Sequence, residues 1–170
     1  MQGLEVRPAT ADDRLPLYRM LELYQHDLSD VWDQDLDSHG EYGYALDDYW
    51  GNPACQPFVF VVAGRYAGFA LVDAAVQLAG SERWIAQFFV VKKYRRQGVG
   101  RAAARAVFDR MPGRWEVGQM PRNTPAQAFW RRVIGEYTGG RFVEHRLVEG
   151  AWQGVLQCFD NTHGAVATAA

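Results

Sequence analysis

A chain of 170 residues with 48% apolar and 14% aromatic composition can bury one substantial core and is short of what two ordinary domains need. No apolar run is long enough to cross a bilayer, and Met1-Gln2-Gly3-Leu4-Glu5 lacks the basic-then-apolar pattern of an export signal, so the expectation is a cytoplasmic protein without a membrane partner. A net charge of −2 argues against a globally basic nucleic-acid binder, and the isolated Cys55 and Cys158, with no His or Cys at ligand spacing, read as free thiols with no metal implied.

In chain order, Leu4 to Arg7 alternates like a short strand. Thr10 is an N-cap type, Asp12 and Asp13 suit a first helical turn, and a helix should follow to about Leu28 with Leu17, Met20, Leu21 and Tyr24 facing the core. His26 is expected on the surface. Asp30 to Trp50 is the least regular part, with Trp32, Tyr42, Tyr44, Tyr49 and Trp50 set among acids and glycines. Phe58 to Val62 and Tyr66 to Val72 read as a hairpin around Gly64-Arg65, and Trp84 to Val91, apolar on both faces, as a central strand.

That strand runs into Lys92-Lys93-Tyr94-Arg95-Arg96-Gln97-Gly98-Val99-Gly100-Arg101. Glycines let a backbone take unusual torsions and come close to a ligand, while a helix opening there offers amides without internal partners and the positive end of its dipole. Basic side chains add charge. Together these describe a phosphate cradle for a polyphosphate with a long tail. The helix beyond it places Val99, Ala102, Ala103, Ala106, Val107 and Met111 on one small-residue face and ends at Met111-Pro112-Gly113. Arg114 to Gly118 should be the next strand. A helix over Pro125 to Ile134 follows, Gly139-Gly140 breaks it, and Arg141 to Val148 with Trp152 to Phe159 reads as a closing hairpin around Glu149-Gly150. One domain is expected over residues 1–160, with 161–170 as a flexible tail.

Charge is segregated along the chain. Between Met20 and Gly64 there are nine acids and no Lys or Arg, whereas Lys92 to Arg132 holds eleven Lys and Arg against Asp109 and Glu116. Opposed fields of this kind suit an anionic cofactor and an amine substrate.

Arg95-x-x-Gly98-x-Gly100 resembles the (Gln/Arg)-x-x-Gly-x-(Gly/Ala) acyl-CoA signature of the GNAT superfamily of N-acetyltransferases. Asn123-Thr124-Pro125-Ala126-Gln127-Ala128-Phe129-Trp130 resembles that family's Asn-x-x-Ala-x-x-(apolar)-Tyr element, with Trp130 at the position of a Tyr that protonates the departing thiolate. The resemblance spans nearly the whole chain. It implies an α+β (α/β) fold: a mixed, mostly antiparallel sheet of six to seven strands, about four flanking helices, and two neighbouring strands that splay at the acyl-CoA site.

It further implies acetyl transfer from acetyl-CoA, by direct attack, to an amine of a small molecule or peptide. The cofactor would contact Val90, Val91, Arg95, Arg96, Gln97, Gly98, Val99, Gly100, Arg101, Asn123 and Trp130, Val90 through its main chain. The region after the first helix lines the acceptor site in that family, which makes Tyr42, Asp47 and Asp48 acceptor candidates. A homodimer stays open as a partner state. No catalytic residue is assigned: Gln87 stands where a carboxylate base is common and does not titrate, Glu82 and Glu116 are weighed as bases but read more readily as surface or salt-bridge residues, Tyr137 is a substitute for the missing acid on which nothing is staked, and His145 reads as a strand-surface histidine.

Three alternatives are weighed against this reading. A non-catalytic acyl-CoA sensor of the same fold would explain the missing Tyr and base. Gly98-x-Gly100-x-x-Ala103, with Glu116, also satisfies the dinucleotide fingerprint, but Lys92 to Gln97 intervene before the first glycine and too little chain follows for the remaining parallel sheet. A nucleic-acid surface lacks interleaved exposed aromatics.

Overall fold

The structure, a computed structural model, describes residues 3–162. Seven strands and four helices follow one another as β1 (Leu4–Pro8), α1 (Arg14–Trp32), α2 (Asp48–Gly51), β2 (Gln56–Val62), β3 (Arg65–Asp73), β4 (Arg83–Val90), α3 (Val99–Arg110), β5 (Arg114–Gln119), α4 (Thr124–Thr138), β6 (Val143–Leu147) and β7 (Gly154–Asp160). The sheet order is β1-β2-β3-β4-β5-β7-β6, and its β4–β5 pairing is parallel. This is the expected α+β architecture. Among the described residues no helix is long and apolar enough to cross a membrane.

Two compact units divide the residues. The first runs to Val72 and includes Gln87–Gly100; the second comprises Asp73–Ala86 and the chain from Arg101 onward.

In the first unit, Thr10 begins a short 3₁₀ turn, Ala11–Asp13, through a reciprocal cap: Asp13 Oδ2 accepts from Thr10 N at 2.7 Å. Helix α1 follows and runs four residues beyond the expected end. It buries Leu17, Met20 and Leu21, and closes at Asp33 in the left-handed region (φ 52°). Tyr24 is half-buried, its ring edge-on to Trp32 at 5.3 Å and to Phe69 at 5.8 Å. The β2–β3 hairpin turns on Ala63 (φ 48°) and Gly64 (φ 74°), not on Gly64-Arg65, because two successive left-handed residues match strand twist; Arg65 already belongs to β3.

The ladder between β2 and β3 slips between Phe60 and Val61, leaving Ala67 as an extra residue. Beside it Gly68 leaves no room for a side chain, since a Cβ there would lie 2.1 Å from Phe89 O.

In the second unit, β5 pairs with β7 over six residues, whereas β4 and β5 share only Arg83↔Trp115 and Trp84↔Glu116. A two-rung ladder is how splayed strands are built. The buried face of α3 is Val99, Ala103, Ala104, Val107 and Phe108; of the expected stripe Val99, Ala103 and Val107 are buried while Ala102, Ala106 and Met111 are half-buried, so the stripe is rotated from the expected one. The reason is Phe108, whose ring packs at 5.0 Å from Trp115, 5.2 Å from Tyr137 and 4.9 Å from Phe159, drawing the helix toward these large partners.

Helix α4 extends four residues past the expected Ile134 to Thr138 and ends at left-handed Gly139 (φ 63°). Strand β6 is an exposed edge carrying Glu144, His145 and Arg146, the kind of charge that blunts edge pairing. Trp152 lies outside β7, its ring 5.3 Å from that of Trp84. Asn161, expected to open a flexible tail, is anchored instead: Nδ2 donates to Phe108 O and Oδ1 accepts from Gly113 N, both at 2.8 Å. Residues 163–170 of that tail lie outside the described residues.

Candidate functional site

The basic turn sits in the first unit, between the end of β4 and the start of α3. Val91 N donates to Ala67 O at 2.9 Å, so strand alternation turns the N–H of Val90 to the edge of β4 opposite β3. A 3₁₀ turn, Lys92–Tyr94, follows, and Arg95 is extended (φ −70°, ψ 155°). Arg96 (φ 60°) and Gly98 (φ 81°) then take left-handed torsions with Gln97 between them, directly before Val99 opens α3.

Alternating torsions of this kind aim successive backbone N–H groups into a concave nest, which together with a helix N-terminus suits an anion. Gly98 therefore supplies the torsion its residue type predicts. Gly100 does not: it is absent from the positive-φ residues and lies within the first turn of α3, and it is Arg96 that takes the second left-handed position. A non-glycine residue held there is strained, and such strain persists where surrounding contacts fix it. Gln97 helps, its Nε2 donating to Lys93 O at 2.6 Å.

Arg95 is occupied within its own unit. Its Nε donates to Val90 O at 2.6 Å, its Nη2 pairs with the Asp27 carboxylate of α1, and its guanidinium carbon lies 5.3 Å from the Phe89 ring centre. Lys92 Nζ approaches the same Asp27 at 3.7 Å.

The first unit also holds a cleft of about 510 Å³, a size that suits a small ligand, lined by Asp12, Arg14, Leu15, Tyr18, Tyr44 and Asp47, with Ala11, Ala45 and Leu46. Helix α1 supplies one wall and the segment before α2 the other. Glu22 builds the second wall by accepting from the backbone amides of Tyr42 (2.8 Å) and Gly43 (2.9 Å). Arg14 forms an ion pair with Asp47, and Tyr18 Oη donates to Glu41 at 2.9 Å, a bond to a carboxylate that raises the tyrosine's pKa. From β4, Gln87 Nε2 donates to Tyr44 Oη at 3.2 Å, tying the cleft wall to the strand that ends in Val90.

Between the lining residues Asp12 and Arg14 in the chain, Asp13 is 1% exposed and accepts from Arg7 Nη1 (2.6 Å), Arg7 Nη2 (2.9 Å) and Tyr66 Oη (2.7 Å). The Arg7 bonds hold its carboxyl well below the usual range.

Of the acceptor candidates, Asp47 lines this cleft. Asp48, at the start of α2, does not, and Tyr42 contributes a backbone amide to Glu22 and a hydroxyl 3.3 Å from His26 Nδ1. Arg14, Tyr18 and Tyr44 were not among the acceptor candidates. A signal was present for two of them: Ala11, Arg14, Leu15 and Tyr18 recur at three and four, a second stripe running from the 3₁₀ turn into α1 beside the core-facing one.

The remaining candidates lie in the second unit. Asn123 caps α4, its Oδ1 accepting from Ala126 N at 3.3 Å, and Trp130 is 5% exposed with its ring 6.2 Å from Phe108. Arg101 is exposed on α3, 3.3 Å from Glu136. Glu116 corrects the expectation of a surface or salt-bridge residue: it is fully buried, and its carboxylate accepts from Gln77 N (2.7 Å) and Leu78 N (2.9 Å), pinning the β3–β4 connection. Burial and the neighbouring Glu116 push the Cys158 thiol up to about 11. Glu82 is exposed beside Arg114, and Tyr137 donates to Asp109 at 2.9 Å, with burial raising its pKa.

Solved structures share this fold. An acetyltransferase from Thermus thermophilus is 15% identical with a TM-score of 0.69, over 93% of this chain and 97% of that one. A spermidine N-acetyltransferase from Vibrio cholerae, solved with CoA and spermine, is 15% identical with a TM-score of 0.61, over 93% and 95%. A ribosomal-protein-S5-alanine acetyltransferase from Vibrio fischeri is 16% identical with a TM-score of 0.64, over 96% of each chain. Comparison of the sequence with curated proteins gives no significant match. The acetyltransferase (GNAT) family model matches residues 17–135, which include the β4–turn–α3 unit and most of α4, so the chain belongs to the GNAT family and is an N-acetyltransferase.

Proposed function

We propose that the chain moves the acetyl group of acetyl-CoA to an amine nitrogen by direct attack, with residues 1–160 acting as one N-acetyltransferase domain. The observation that carries this reading is the pair of left-handed residues, Arg96 and Gly98, immediately before α3. Their amides, with those of Val99 and Gly100, hold the diphosphate, and Val91 and Gln97 belong to the same segment. The Val90 N–H, on the edge of β4 opposite β3, is the main-chain donor for the thioester side of the cofactor.

The acceptor occupies the cleft beside Tyr18, Tyr44 and Asp47, which suits an amine carried on a small molecule or peptide. Amines of both kinds appear in the names of the Vibrio neighbours, spermidine in one and a ribosomal protein's alanine in the other. Arg101, Asn123 and Trp130 stand as cofactor contacts on the family resemblance alone.

In the reaction the neutral amine attacks the thioester carbonyl, the N–C bond forms, and the tetrahedral intermediate expels the CoA thiolate. The proton lost by nitrogen ends on sulfur. Gln87 and Tyr44 give the acceptor fixed hydrogen-bonding partners, and positioning of this kind supplies much of the acceleration in a two-substrate transfer. Water carries the proton, since Gln87 does not titrate and Tyr137 is engaged with Asp109.

Calorimetric titration with acetyl-CoA tests the reading, beside Gly98→Glu and with NADH as control. Gly98→Glu places a side chain and a negative charge in a left-handed position of the nest, and binding should fall at least about thirtyfold. No binding by the native protein, or a preference for NADH, would overturn it.

A further inference from the structure

The first residue of the signature, Arg95, is a guanidinium beside a phosphate cradle, and by residue type it reads as a grip on the phosphate. Its bonds are spent elsewhere. The Nε hydrogen goes to Val90 O at 2.6 Å, the Nη2 group to Asp27, and one face of the guanidinium lies over Phe89. The side chains are 38% and 20% exposed, so the pair is half-buried, where a charged hydrogen bond is screened less than at the surface. A planar group held at two edges and one face has a fixed place. That place connects three parts of the first unit: α1 through Asp27, the last residue of β4 through Val90, and the turn through Arg95 itself.

We propose that Asp27 and Arg95 are a positioning pair that holds the turn in its anion-binding shape, and that Arg95 does not grip the phosphate. The inference rests on the acyl-CoA reading of the turn. Arg96, the next residue, is kept left-handed at a conformational cost, and Val90, five residues back, must present its N–H along a defined direction. Fixing Arg95 constrains both. Without Asp27 the guanidinium is free to turn away, the Val90 carbonyl loses its donor, and the nest must be ordered by the ligand at the ligand's expense.

Electrostatics makes the two roles separable by sign. A carboxylate near a polyanion repels it, so if Arg95 gripped phosphate, neutralising Asp27 would release the guanidinium and remove a repulsion, and acetyl-CoA would bind more tightly. A positioning pair gives the opposite result. Asp27→Asn should weaken acetyl-CoA binding about tenfold in calorimetry, Asp27→Glu should restore it to within about threefold, and the KM for the amine should stay within about twofold, because Asp27 does not line the cleft.

Tighter or unchanged binding in Asp27→Asn would overturn the proposal. Should that variant not fold, as judged by its melting curve without ligand, Asp27→Ser carries the same test of sign. Failure of the native protein to bind acetyl-CoA is a separate outcome that removes the acyl-CoA reading itself.

Discussion

The turn from Val90 to Gly100 and the cleft between α1 and the segment before α2 belong to the same unit but are built from different material. The turn is a backbone object. Its shape is the torsions of Arg96 and Gly98, one strand-end amide and the first amides of a helix. The cleft is a side-chain object, assembled from groups far apart in the chain, with Arg14 paired to Asp47 across 33 positions and Gln87 bonded to Tyr44 across 43. A backbone site is written in contiguous sequence, because few residue types tolerate the torsions it needs. A side-chain site is written nowhere contiguous.

If the turn meets its ligand through main-chain amides, the Arg96 side chain should be dispensable where Gly98 is not. Arg96→Gly is the sharpest contrast with Gly98→Glu. Glycine keeps the left-handed torsion, and the strain it relieves, about 1 kcal/mol, is offset by the added freedom of the unfolded chain. Acetyl-CoA affinity should then change by less than about threefold, against the roughly thirtyfold loss expected for Gly98→Glu. A loss of about tenfold in Arg96→Gly would return the site to its side chains.

The segment that brings Asp12 and Arg14 to the cleft is anchored at Asp13, between them in the chain. Removing the Asp13 carboxylate by Asp13→Ala leaves Arg7 and Tyr66 without their buried partner and should lower stability by about 3 kcal/mol in denaturant unfolding. The sign with pH follows from a folded-state pKa held below the ordinary value of about 3.9. Above that value the carboxyl is ionised in both states and the full contribution is present; as pH falls below it, the unfolded chain takes up the proton first and stability is lost toward the lower folded-state value. Asp13→Asn should flatten this acid limb.

The same contrast explains what the sequence discloses. The β4–turn–α3 unit was legible because a doubly apolar strand, two glycines and an alanine-rich helix fall in one stretch, as were the hairpin and the sheet they imply. Phe108 was not. It lies one step off the small-residue stripe, and only the placement of Trp115, Tyr137 and Phe159 rotates α3 to bury it.

Glu116 misled for a related reason: a lone acid in a short strand reads as exposed, and the two amides that justify its burial come from a loop 38 and 39 positions earlier. Several acids of the stretch before Gly64 are likewise engaged by the protein's own groups. Glu22 holds backbone amides, Asp27 holds Arg95 and Asp47 holds Arg14, so a field inferred from the sequence overstates what a ligand meets.

The smallest effects belong to the cleft's polar rim, and they distinguish the residues that line it from their neighbours. Tyr44→Phe removes the acceptor of the Gln87 amide and should raise the KM for the amine about fivefold while acetyl-CoA affinity holds. Asp47→Asn should raise the KM for a cationic amine only about twofold, because its charge is already shared with Arg14 on an exposed surface. Asp48→Asn should change nothing, since Asp48 lies outside the lining. Steady-state kinetics with both substrates varied reads all three. An Asp48 effect as large as that of Asp47 would mean that the acceptor responds to the summed acidity of the segment, and the cleft would lose its claim to specific contacts.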